Sequence, residues 1–173
     1  FNGGYILYKS TGDTITFVKS LARMSCNYLL MSSNYQHVNL YSQETEIPSY
    51  MFSYTPLSNG IELPNTIVTI GDGAFWNASG FNEITIPASV QTIKNSSLEI
   101  ENLKNINFMG AMVDNFETGV ISNIDNLYVL PEYFENYWNK YNLDETKRRV
   151  SLLRDKTIEK CLANNVKELY VVN

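Results

Sequence analysis

Between Ile61 and Leu103 the chain writes one pattern twice, and that repetition constrains its fold more than any other feature. The first copy runs Ile61-Glu62-Leu63-Pro64-Asn65-Thr66-Ile67-Val68-Thr69-Ile70-Gly71-Asp72-Gly73-Ala74-Phe75. The second opens one period later as Ile84-Thr85-Ile86-Pro87-Ala88-Ser89-Val90-Gln91-Thr92-Ile93. A unit this short cannot bury its apolar face alone, so successive units must stack into a solenoid with a continuous core. Fainter copies flank the clear ones. Val38-Asn39-Leu40 and Ile47 lie one full period before Ile61-Glu62-Leu63 and Ile70, and Tyr50-Met51-Phe52 falls on Gly73-Ala74-Phe75. Ile106-Asn107-Phe108 begins a period after Ile84 that is shorter by one, and Leu127-Tyr128-Val129 follows after one shorter still.

Leu63-Pro64 with Ile67, Ile70-Gly71 and Ala74-Phe75, and Ile86-Pro87 with Val90 and Ile93, resemble the BspA-type leucine-rich repeat. The family pattern runs roughly I-x-I-P-x-x-V-x-x-I-G-x-x-A-F-x-x-C-x-x-L. Ala78 or Ser79 falls near its usual Cys and Phe81 at its closing Leu. Lys94, Ser97 and Leu98 depart from the usual Gly, Ala and Phe, which predicts a differently built turn in the second copy. The fold expected is an α/β repeat, a leucine-rich-repeat solenoid with short parallel strands, flanked by an N-terminal β-hairpin and a C-terminal helix. Strands at Ile61, Ile84, Ile106 and Leu127 should be parallel neighbours in one sheet.

Three regions follow. Residues 1–36 read as a β-rich flank, where Tyr5-Ile6-Leu7-Tyr8 and Thr14-Ile15-Thr16-Phe17-Val18 are β-prone and Ser10-Thr11-Gly12-Asp13 carries turn chemistry. Residues 37–142 hold the repeats, and the last, from Leu127, resembles the terminal unit of such arrays, with Pro131 at the first turn of a short helix. Tyr133, Phe134, Tyr137, Trp138 and Tyr141 are spaced so that most share one side of it. In residues 143–173 Asp144 is a candidate N-cap, and Val150, Leu153, Thr157, Ile158, Cys161 and Leu162 follow helical spacing. That helix is expected to cap the open end of the array. Glu168-Leu169-Tyr170-Val171 then echoes Asn126-Leu127-Tyr128-Val129, as if a further repeat began there.

Composition removes several function classes. Hydrophobic residues make up 44% and charged residues 18%, which excludes a disordered chain. A net charge of −5 removes the main electrostatic drive for nucleic acid. No run of 18 apolar residues occurs, so this segment inserts no helix in a membrane. The chain opens on Phe1 rather than Met, as expected if its natural start has been removed, and a signal peptide is neither shown nor excluded. Cys26 and Cys161, near opposite ends of the sequence, are expected to be unpaired thiols.

Nothing in the sequence assembles a catalytic or metal centre. His37 is the one histidine, and Met24-Ser25-Cys26-Asn27 carries no nucleophile motif. Carboxylates lack the spacing of a calcium loop, and Gly71-Asp72-Gly73 lacks the Lys of a phosphate loop. Neither an enzyme activity nor a cofactor is therefore expected. The remaining candidates are the middle residues of the apolar-x-apolar strands, which face away from the core: Asn39, Glu62, Thr85, Asn107 and Tyr128. Repeat proteins bind through such extended faces, and the alternative is an ordinary solvated sheet surface. The resemblance implies a protein-binding or adhesion module of a cell-surface or secreted protein, with a protein or matrix ligand. A structural spacer without its own ligand is the competing reading.

Overall fold

The computed structural model describes residues 8–21, 30, 33–111, 113, 124–141 and 149–152. Its short strands run in chain order: β1 (Tyr8–Thr11), β2 (Thr14–Phe17), β3 (His37–Asn39), β4 (Glu46–Ile47), β5 (Thr69–Ile70), β6 (Glu83–Ile86), β7 (Thr92–Ile93), β8 (Asn105–Phe108), β9 (Asn126–Val129) and β10 (Arg149–Leu152). A 3-10 turn at Pro131–Tyr133 and helix α1 (Phe134–Tyr141) lie between the last two.

The expected hairpin is present, with a shorter turn than the sequence suggests. β1 and β2 are antiparallel with Thr11 opposite Thr14, so Ser10 and Thr11 are strand residues. Gly12 and Asp13 alone make the connection, and Gly12 has φ +60° as a tight hairpin requires. β2 also pairs in parallel with β3, Ile15 opposite Val38, at the offset of one repeat. The hairpin is thus built onto the array.

The repeat period fixes register throughout. β6, β8, β9 and β10 form one parallel sheet in which Ile84, Ile106, Leu127 and Val150 are aligned. β4, β5 and β7 form a second parallel ladder, with Ile47, Ile70 and Ile93 aligned and buried. Between these ladders the core residues stack layer on layer. Phe52 lies on Phe75 with ring centroids 5.3 Å apart, and Leu98 continues the column. Burying one such side chain contributes about 1.5–3 kcal/mol.

One expected strand is missing. No strand forms over residues 61–64, so Ile84, Ile106 and Leu127 are parallel neighbours but Ile61 is not among them. The cause lies one residue earlier. Gly60 occupies the position taken by His37 in β3 and by Glu83 in β6, and its φ is +72°. A left-handed residue at the first strand position turns the chain out of the extended conformation before pairing can begin. At the edge of the face, Gln36 N–H donates to the Asp13 carbonyl at 2.9 Å and Lys104 N–H to that of Asn82 at 2.8 Å. Among the described residues no equivalent bond joins 36 to 59 or 59 to 82.

Among the described residues the opposite side of the array shows no such gap. Tyr50 N–H donates to the Asp72 carbonyl at 2.9 Å, Phe52 to Ala74 at 2.8 Å, Gly73 to Asn95 at 2.8 Å and Phe75 to Ser97 at 3.0 Å. Tyr50, Gly73 and Ser96 stand one period apart with φ of 56°, 56° and 53°. The turn of the second copy is therefore built like that of the first, contrary to the expectation from Lys94, Ser97 and Leu98. Ser96 adopts the left-handed conformation without a glycine. Gly71 is required for space instead, since a Cβ there would lie 2.6 Å from the Ser49 nitrogen.

The C-terminal end also departs from the sequence reading. Arg149–Leu152, placed in a helix by the spacing of Val150 and Leu153, is the strand β10 paired in parallel with β9. Its residues alternate as a strand requires, and β9 offers an edge whose backbone groups need partners. The unit from Leu127 is therefore not terminal among the described residues; α1 lies in the crossover from β9 to β10 and packs against β10. The aromatic side of α1 is as expected at Tyr137, which is fully buried 4.9 Å from Phe108 and donates its hydroxyl to the Ala111 carbonyl at 3.2 Å. Trp138 stays 42% exposed. Asp144, the remainder of the helix expected to follow it, the echo at Glu168, and Cys26 and Cys161 lie outside the described residues.

Candidate functional site: the break in the strand face

Alternation along each strand sends one side chain per layer outward, and the layers place these in a row. Thr16, Asn39, Thr85, Asn107 and Tyr128 hold equivalent positions, Thr16 opposite Asn39 and Thr85 beside Asn107 beside Tyr128. Thr16 is missing from the sequence-derived row because its strand reads as a flank. Its match to Asn39, at one repeat period, is the signal that could have found it.

The row divides into two kinds of surface. Asn39, Glu62 and Thr85 are exposed, whereas Asn107 is only 5% exposed and Tyr128 only 9%. An outward position is thus not always a solvent position, and those two residues do not share the open surface expected of them. Side-chain bonds follow the layers. Asn39 Nδ2 donates to Thr16 Oγ1 at 3.1 Å. Asn107 Nδ2 donates to Thr85 Oγ1 at 3.1 Å and Glu83 Oε1 at 3.2 Å, and Asn126 Nδ2 to Asn105 Oδ1 at 3.0 Å. Glu62, in the layer without a strand, has no hydrogen-bond or ion-pair partner among the described residues.

Loss of pairing opens space on both sides of Glu62. A cleft of about 420 Å³ is lined by Asn59, Gly60, Ile61, Glu62, Leu63, Asn65, Glu83, Thr85, Pro87 and Met109. A second, of about 350 Å³, is lined by Val38, Asn39, Leu40, Ser42, Glu62, Pro64 and Asn65. Both volumes lie within the range of small ligand sites. Glu62 and Asn65 belong to both clefts, and among the described residues no Lys, Arg or His lines either. The structure therefore gathers Asn39, Glu62 and Thr85 at one site and adds Asn59, Asn65 and Met109, which their loop positions conceal in the sequence.

His37 sits beside this site at the edge of β3. Its Nε2 is 3.5 Å from Asp13 Oδ2, and the Asn59 amide nitrogen lies 2.8 Å away. Among the described residues no three of His, Cys, Asp and Glu are placed to hold a metal ion. No helix there is long and apolar enough to cross a membrane. Another carboxylate, Glu44, stands in a very different setting. It is fully buried, accepts from Ser20 Oγ at 2.8 Å, the Leu21 N–H, and the Thr45 N–H at 3.1 Å, and occupies the slot where later layers have Ile67 and Val90. Glu44 is thus a tie between layers, and Glu62 is the carboxylate left for solvent or a ligand.

A family model described as BspA type leucine-rich repeat region matches residues 3–128 in six copies. The match begins inside the segment read as an N-terminal flank, in accord with the parallel pairing of β2 and β3. No curated protein and no solved structure matches the chain.

Proposed function

Because the chain belongs to the BspA-type leucine-rich repeat family, we propose that it is a non-catalytic protein-binding or adhesion module of a cell-surface or secreted protein. Repeats of this family commonly serve protein interaction, and a solenoid presents an extended surface suited to it. The observation that carries the reading is the break at residues 61–64. It leaves exposed polar groups, unpaired strand edges and two clefts together at the middle of the strand face. Asn39, Glu62 and Thr85 are the contact residues proposed there. Asn107, bonded to Thr85, and Tyr128, beside Asn107 in the row, brace the face at its covered end.

The test is binding to immobilised extracellular-matrix proteins by the wild-type chain and by Asn39→Arg and Thr85→Arg, both at exposed positions. Tyr54→Arg, at an exposed residue of the turn side, is the control. Loss of more than about tenfold in affinity for the first two, with the control unchanged, is the expected result, since central contacts dominate interface energy. Equal binding by all four proteins would refute the assignment of the strand face. The burial of Asn107 and Tyr128 favours a second reading, in which much of this sheet is closed to ligands and the array is a spacer. On that reading none of the variants changes binding to any surface.

A further inference from the structure

On the strand-face reading above, we infer that the clefts around Glu62 receive the guanidinium of an arginine carried on an extended segment of a partner protein. Glu62 lines both clefts, is exposed and is unpaired among the described residues. A second carboxylate, Glu83, lines the larger cleft while accepting from Asn107, and among the described residues no Lys, Arg or His lines either cleft. The local field is therefore of one sign and selects a cation.

The walls decide which cation. Ile61, Pro87 and the 38% exposed Met109 give the larger cleft an apolar side on which a side chain's methylenes can lie while its charge stays at the rim. A planar guanidinium then presents two parallel N–H groups to the Glu62 carboxylate, a fit that a lysine ammonium lacks. The carrier is extended because the space runs between the facing edges of β3 and β6, where ladder bonding stops. Backbone groups entering there find Asn39, Asn65 and Thr85 as partners.

The probe is a blocked Gly-Gly-Arg-Gly-Gly peptide, titrated into the 173-residue chain and followed by amide chemical shifts. A citrulline analogue, nearly the same shape without the charge, is titrated in parallel. Shifts confined to residues 59–65 and 83–87 with the arginine peptide, absent with citrulline and weakened about tenfold in E62Q, are the expected outcome. Equal shifts from citrulline, unchanged affinity in E62Q, or no shift in those residues would overturn the inference. Its failure is separable from that of the strand-face reading. If Thr85→Arg abolishes matrix-protein binding and E62Q leaves it intact, the strand face stands and the arginine falls. If neither variant changes that binding, the strand face falls with it.

Discussion

The turn side of the array and its strand side obey the same period, yet they respond differently when the sequence departs from the repeat. On the turn side, Ser96 replaces Gly73 and Lys94 replaces Gly71, and the layers still bond: Lys94 N–H reaches the Ile70 carbonyl at 3.0 Å, as Gly71 reaches that of Ile47 at 2.8 Å. On the strand side, one glycine in place of an extended residue removes a strand and divides the sheet. The turn side bonds at several points per layer and is packed on Phe52, Phe75 and Leu98, so one misfit is overruled by its neighbours. Strands as short as β3 and β6 have few bonds to lose. A conformational fault at the first residue therefore removes most of them.

The largest effect should come from the core that both sides share. Phe75→Ala removes a fully buried ring stacked on Phe52 and should lower stability by about 3–5 kcal/mol in urea unfolding. A loss below about 1 kcal/mol would mean that the layers are not mutually supporting there. Next in size is Glu44→Ala. It strips acceptors from the Leu21 and Thr45 N–H groups and the Ser20 hydroxyl, and should cost about 2–3 kcal/mol. Little change on that substitution would show that the N-terminal layer is held by its apolar contacts alone.

Apolar periodicity makes the stacked layers legible, because Ile47, Ile70 and Ile93, or Phe52 and Phe75, can recur at one offset only if each meets its equivalent. Polar lapses in that period are less legible. Glu44 occupies an apolar slot, and nothing local to it reveals that its partners are the Leu21 N–H and the Ser20 hydroxyl, a whole repeat away in the chain. Gly60 stands out only by comparison, since the paired strands of that face open on Thr14, His37, Glu83, Asn105, Asn126 and Arg149. Its consequence, a cleft, depends on geometry. The spacing around β10 misleads because Val150 and Leu152 suit a strand as well as Val150 and Leu153 suit a helix, and only the waiting edge of β9 decides between them.

Placing one methyl group on each side sharpens the comparison. Gly71→Ala sets a Cβ against the Ser49 backbone, which cannot move without disturbing the turn column, and should cost about 1–3 kcal/mol. Gly60→Ala meets nothing closer than the Phe81 side chain at 3.8 Å, so its penalty is the left-handed φ, about 1 kcal/mol. Equal losses for the two, measured by thermal unfolding, would remove the distinction between a closed side and an open one.

The smallest expected effect is the most informative about the site. Glu62→Gln keeps the shape of an exposed side chain that has no partner among the described residues, so stability should change by less than about 0.5 kcal/mol. Thr85→Ala should cost more, because it removes the hydroxyl that receives the buried Asn107 amide, although the same amide keeps Glu83 as acceptor. The order follows from one difference: Thr85 takes part in a bond between layers and Glu62 does not. Parallel urea titrations decide it. A Glu62→Gln chain destabilised as much as Thr85→Ala would mean that the carboxylate holds the broken layer in place, and its availability to an arginine would then be lost.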